Sequence, residues 1–191
     1  MKKNIVLAIA LLSTLLLSGC TTILEHSTDQ AITPDPTRRT AGTWVDDERL
    51  EAIISNNIGK ASDALDDSHI NVNVFNGVVL LTGQVPNSEE RGLAGDTARE
   101  LLDVRQVHNE LEIQNNTSFL ARTNDNYLAS KTKLSLYAED EISGSRIEVI
   151  CENSVIYLMG LITREHGDIA AEKASTIGGV RRVVKVFEYI D

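Results

Sequence analysis

The side chains of this 191-residue chain best suited to chemistry sit close together near its middle: Tyr127, Lys131, Lys133, Leu134 and Tyr137. On a helix turning about 100° per residue, the two tyrosines and Leu134 fall within about 80° of one another, with the lysines on either flank. Such a helix is built to lie in a bilayer interface, where aromatic rings enter the headgroup boundary and ammonium groups meet lipid phosphates. The expected phospholipid-contacting set is Tyr127, Leu128, Lys131, Lys133, Leu134 and Tyr137.

Other chemistries find less support. His26, His69, His108 and His166 are scattered, and no nucleophile, phosphate loop or metal-ligand spacing accompanies them. No catalytic residue, metal site or cofactor is expected, and the chain does not read as an enzyme. His69 and His108 read as ordinary surface residues. Cys151 shares a strand face with Ile147 and Val149 and reads as a small buried hydrophobe rather than a reactive thiol.

The second cysteine has a different setting. Lys2 and Lys3 precede an apolar run over residues 5–17, and the run ends in Leu17-Ser18-Gly19-Cys20. This is a secretion signal too short to be a stable membrane span, and its end resembles the bacterial lipobox. The resemblance implies cleavage after residue 19 and a diacylglyceryl and N-acyl group (palmitate among them) on Cys20, which together anchor the chain stably where one acyl chain would not. Thr21, rather than aspartate, implies sorting to the outer membrane, facing the periplasm. With Cys20 acylated, Cys151 has no partner for an intramolecular disulfide.

Removal of residues 1–19 takes away two lysines and leaves 16 basic against 28 acidic side chains, a net charge of −12. Nucleic acid is thereby excluded as a partner, for want of a basic footprint. The charge is uneven: residues 46–113 hold 14 acidic and 5 basic side chains, residues 124–191 hold 11 and 8. The later part repels an anionic surface far less.

The elements that must position the tyrosines come from a repeat. "INVNVFNGVVLLTG" from Ile70 returns as "IEVICENSVIYLMG" from Ile147, an offset of 77 that becomes 76 after the hairpin. Each copy reads helix, strand, strand, helix, strand. In the first copy, Leu50, Ile54 and Ile58 mark a buried helical stripe, with Asp46 and Asp47 placed at its start as caps. Asn76-Gly77 makes a left-handed turn between strands, and residues 104–113 form a third strand, parallel after a helical crossover. In the second copy, helix 127–138 carries Leu128, Thr132 and Leu136 on the buried stripe, while Tyr127, Leu134 and Tyr137 take the outward places of Arg49, Asn56 and Gly59. Duplication of one folded unit is the economical account. Units so small bury a core poorly alone, so the two are expected to pack together.

The glycines Gly83 and Gly160, the valine pairs Val104/Val107 and Val180/Val183, and the hairpin itself resemble the BON domain; Ser154 stands where the pattern wants glycine. The expected fold class is α+β: two tandem BON domains, each a small mixed three-stranded sheet with two helices. The expected division is a signal peptide at 1–19, an acylated N-terminus and tether at 20–45, domain 1 at 46–113, a linker at 114–123 and domain 2 at 124–191. Lipobox, tether and paired domains together resemble dual-BON-domain outer-membrane lipoproteins associated with division and outer-membrane stress. That resemblance implies binding of anionic phospholipid, such as phosphatidylglycerol, through domain 2, support of outer-membrane integrity, and placement at the division site. A protein-interaction adaptor docking outer-membrane, division or cell-wall remodelling proteins is the competing reading of the same outward stripe. Trp44 reads as a local packing residue, and Arg181 and Arg182 as a solvated strand start that could also lie near lipid.

Overall fold

The computed structural model describes residues 38–191; the expected signal peptide, Cys20 and the expected tether as far as residue 37 lie outside the described residues. Helix α1 (Ala41–Ala61) begins earlier than the expected start at Asp46 and Asp47, because Thr40 is its cap: its hydroxyl accepts from the Thr43 amide at 3.1 Å. Residues 41–45 are therefore helix, not tether. Trp44 projects from this helix 51% exposed and is not packed away as expected.

A short helix α2 (Asp63–Asp66) leads into β1 (His69–Phe75) and β2 (Val78–Val85), antiparallel from His69 opposite Gln84 to Phe75 opposite Val78. Asn76 and Gly77, at φ of 52° and 73°, close the two-residue turn. Gly83 is required by its surroundings: φ is 121°, and a Cβ there would lie 2.0 Å from the His69 carbonyl oxygen. After α3 (Ser88–Arg99), capped by Asn87, the chain lays β3 (Gln106–Asn109) and β4 (Glu112–Ile113) parallel to β2 in one register, Val78 opposite Gln106 and Gln84 opposite Glu112. The expected third strand is thus present, interrupted at Glu110 and Leu111.

The second copy repeats this order. Helix α4 (Phe119–Tyr137) precedes β5 (Glu148–Glu152) and β6 (Val155–Ile162), and α5 (Arg164–Ser175) carries the chain to β7 (Arg182–Tyr189), parallel to β6 throughout. Ser118 caps α4, so helix replaces the expected linker from residue 119 onward. The turn residues Asn153 and Ser154 both have positive φ, 50° and 61°. Serine in that region is strained relative to glycine.

Each sheet is covered on one face by its own helices. Leu50, Ile54, Ile58, Ala94 and Ala98 meet Val74, Val79 and Leu81 in the first unit; Leu136, Ala170 and Ala174 meet Ile147, Ile156 and Leu158 in the second. The opposite sheet faces pack on each other through Phe75, Val78, Leu80, Val155, Tyr157, Met159 and Val186. Central strands β2 and β6 are therefore buried on both faces, which is why "VVLLTGQV" and "VIYLMG" lack a polar alternation. Residues 38–191 hold all three apolar clusters, so this part of the chain carries the core on which it folds.

The rim of the joint is polar. Glu152, 5% exposed, accepts from Gln84 Nε2 at 2.5 Å and Asn71 Nδ2 at 2.9 Å, and His69 Nε2 lies 3.8 Å from it. A buried carboxylate needs such partners, since leaving it unpaired costs several kcal/mol. His69 and His108, expected at the surface, are both half-buried, and burial pushes the His108 imidazole below its usual pKa.

Candidate functional site

Helix α4 is amphipathic in an unusual sense, because both of its long faces are apolar. The inward face holds Asp125, Leu128, Thr132 and Leu136, all buried. The outward face exposes Phe119 (79%), Leu120 (79%), Tyr127 (61%), Leu134 (70%) and Tyr137 (57%). On a wheel of about 100° per residue these five fall within about 100° of one another, centred nearly opposite the buried set. Nineteen residues make the stripe about 28 Å long, at 1.5 Å per residue. At the matching places α1 carries Ala41, Gly42, Arg49, Asn56 and Gly59.

Of the six residues expected to meet lipid, the structure brings Tyr127, Lys131, Leu134 and Tyr137 to this surface. The other two need correction. Leu128 is 1% exposed and belongs to the core, where a Cβ at Gly179 would lie 3.0 Å from its Cδ2; it falls on the same stripe as Leu136, not beside its sequence neighbour Tyr127. Lys133 is half-buried, and its ammonium donates to the Ile147 carbonyl oxygen. Burial lowers its pKa, against an opposing pull from Glu148. Both lysines also sit over tyrosine rings, Lys131 Nζ 5.9 Å from the Tyr127 centroid and Lys133 Nζ 5.6 Å from that of Tyr137. They fix the rings' attitude as well as supplying charge.

Phe119 and Leu120 were missed because they fall in the segment read as linker. Ser118 followed by an apolar pair was the available signal: its hydroxyl accepts from the Ala121 amide at 3.3 Å and opens the helix. Two aspartates were also assigned the wrong work or none. Asp47, 2% exposed and within α1, accepts from the Asn76 and Gly77 amides at 2.8 and 3.0 Å, and from Arg39 at 2.9 Å. Asp125 does the same for the Asn153 and Ser154 amides at 2.9 and 2.8 Å. Each carboxylate locks a hairpin to the preceding helix and so sets the helix's rotation, which in α4 decides which side chains face outward. Arg181 donates to the Asn153 carbonyl at 3.0 Å, in keeping with a strand start.

Among the described residues, no group of three or more His, Cys, Asp or Glu side chains is placed to hold a metal ion, and no helix is long and apolar enough to cross a membrane.

A profile of the BON domain matches residues 46–115 and again 124–191. The chain belongs to the BON domain family. It is similar to the outer membrane lipoprotein DolP of Haemophilus influenzae, 35% identical over 97% of this chain and 96% of that one. It is also similar to a 21 kDa hemolysin of Actinobacillus pleuropneumoniae, 33% identical over 80% of this chain and 78% of that one. A more distant likeness joins it to the solved C-terminal domain of CdsD, the structural protein of the Type III secretion system of Chlamydia trachomatis, at 14% identity and a TM-score of 0.27 over 81% of this chain and 100% of that one.

Proposed function

We propose that this chain is an outer-membrane lipoprotein, acylated at Cys20 and facing the periplasm, whose second BON domain lays the outward face of α4 on a bilayer containing anionic phospholipid. In that place it supports outer-membrane integrity, at the division site among others. The observation that carries the reading is the exposed stripe Phe119, Leu120, Tyr127, Leu134 and Tyr137, opposite the core, where the matching places of helix α1 hold Ala41, Gly42, Arg49, Asn56 and Gly59. A similar chain bearing the name of an outer membrane lipoprotein over nearly its full length agrees with the anchor.

The magnitudes suit a tethered protein. Partial burial of five apolar side chains contributes about 1.5 kcal/mol each at most, and Lys131 about 1 kcal/mol near an anionic leaflet. Ordering and desolvation of the polar tips subtract from this. An acyl anchor on the same chain raises the effective concentration to about millimolar, so a weak contact is sufficient.

Cosedimentation of residues 21–191 with phosphatidylcholine vesicles, with and without phosphatidylglycerol, tests the proposal. Binding should need the anionic lipid, weaken with salt, disappear in Tyr127→Glu and persist in Arg49→Glu. Failure to bind either vesicle would leave the stripe as a protein-docking face and favour the adaptor.

A further inference from the structure

Most of this acidic protein offers anions little welcome, but one cavity does. It has a volume of about 440 Å³, lies between the two domains, and is lined by Arg38 and Arg39 from the first domain's leading segment and Lys133 and Arg146 from the second, around Phe75 and Glu148. We propose that this cavity is a binding site for a phosphate ester, separate from the outward stripe of α4.

Two of its cations, Arg39 and Lys133, are held in place before any ligand arrives. Arg39 donates to Asp47 Oδ2 at 2.9 Å and to the Val74 carbonyl at 3.3 Å, and stacks 4.7 Å above the Phe75 ring. Lys133 is fixed by the Ile147 carbonyl, which occupies one of its three donor directions. Guanidinium groups suit phosphate because their planar fork donates two parallel hydrogen bonds. The carboxylate inside the cavity is Glu148, whose pKa is raised by burial in spite of the nearby Arg39 and Lys133. It is an internal counter-ion that an incoming phosphate must displace or outmatch.

Lys133 links the cavity to the bilayer-facing stripe, because the same ammonium lies over Tyr137 at the C-terminal end of α4. The phosphate of a lipid whose chains lie along that end is one source of ligand; a free phosphate ester from the periplasm is the other. The site does not depend on α4 touching a membrane.

The test is a titration of ¹⁵N-labelled residues 21–191 with inorganic phosphate and with glycerol phosphate, read at the Arg146 and Ile147 amides, beside vesicle binding to phosphatidylglycerol. Saturable shifts are expected, with the dissociation constant raised about tenfold for each arginine lost in Arg38→Gln and Arg146→Gln, the worth of one charge-assisted hydrogen bond. Glu148→Gln should tighten binding, an effect that damage to the fold would not produce, and Tyr127→Glu should leave the titration unchanged. If soluble phosphates give no saturable shift but the Arg38→Gln/Arg146→Gln pair weakens vesicle binding more than the exposed control pair Arg49→Gln/Arg99→Gln, the ligand is the lipid headgroup. If neither probe distinguishes the cavity pair from the control pair, the proposal is wrong. Arg38→Gln alone, at an exposed position, serves where the double variant fails to fold.

Discussion

Asn76, in the first hairpin turn, donates its side-chain amide to Glu188 on the last strand at 2.8 Å. The equivalent pair in the other direction, Asn153 and Glu112, repeats the bond at the same 2.8 Å. The two hydrogen bonds are related by the internal duplication, so the domains meet as the halves of a self-complementary dimer do, each turn clasping the other's final strand. Arg105 strengthens one of them, donating to both Glu188 oxygens.

The Glu188 clasp makes the joint sensitive to acid. Bonds from Arg105, and to a lesser degree from Asn76, hold the Glu188 carboxyl below the ordinary carboxylate value. A depressed acid contributes stability above its unfolded pKa and loses it as pH falls through the folded one. Glu188→Gln should therefore destabilise the protein by about 1 kcal/mol at neutral pH, discounted for the partial exposure of the pair. In urea denaturation measured at successive pH values, the difference from the parent should shrink below about pH 4.5, where the carboxyl protonates in the unfolded chain before it does in the folded one. A gap that stays constant down to pH 2 would mean that the bonds contribute through shape alone.

The hairpin locks give a second prediction. Asp125→Ala leaves the Asn153 and Ser154 amides without their carboxylate, at a cost of about 2–3 kcal/mol. Ser154→Gly acts oppositely, since Ser154 sits at φ 61° where an L side chain is strained; it should stabilise by about 0.5–1 kcal/mol. Thermal melting of both variants checks the pair of opposite signs.

How much of this was open to a reader of the sequence depended on the range of the interactions. The hairpins were legible because Asn76-Gly77 specifies its turn within two residues, and α3 and α5 because their small apolar residues recur at helical spacing. The beginnings of α1 and α4 were not, since each rests on a single capping hydroxyl, Thr40 or Ser118, set in a polar stretch that reads equally well as tether or linker. Asp47 and Asp125 bond to turns 28 to 30 residues away, and nothing local distinguishes them from helix caps. Their recurrence at an offset of 78 was the one available clue. The wheel put Tyr127, Leu134 and Tyr137 on the outward face, where they are exposed, but it could not show that the Lys133 ammonium would turn toward the Ile147 carbonyl just before β5.

Cys151 offers a test of inertness. Burial, aided by the Asp125 carboxylate 3.5 Å from its sulfur, pushes the thiol far above its usual pKa. Thiolate is the reactive form, so iodoacetamide at pH 8 should leave Cys151 of residues 21–191 almost unmodified for hours and alkylate it within minutes in guanidinium chloride. Mass spectrometry separates the two outcomes, and rapid labelling of the folded protein would show that the second hairpin opens readily.

The outward and inward faces of α4 should respond to substitution in different measurements. Phe119→Ser or Leu120→Ser removes an exposed apolar side chain from the bilayer contact and should weaken binding to phosphatidylglycerol vesicles by about tenfold each, the equivalent of about 1.5 kcal/mol, with little change in melting temperature. Leu128→Ala opens a cavity in the second core and should cost about 2–5 kcal/mol of stability, while affinity measured well below the melting point stays near the parent value. The contrast follows from neighbouring positions on one helix pointing opposite ways, Tyr127 to solvent and Leu128 to the core. If Phe119→Ser and Leu120→Ser bind as the parent does while Tyr127→Glu does not, the contact is confined to the C-terminal half of the helix, and the first turn of α4 stands clear of the membrane.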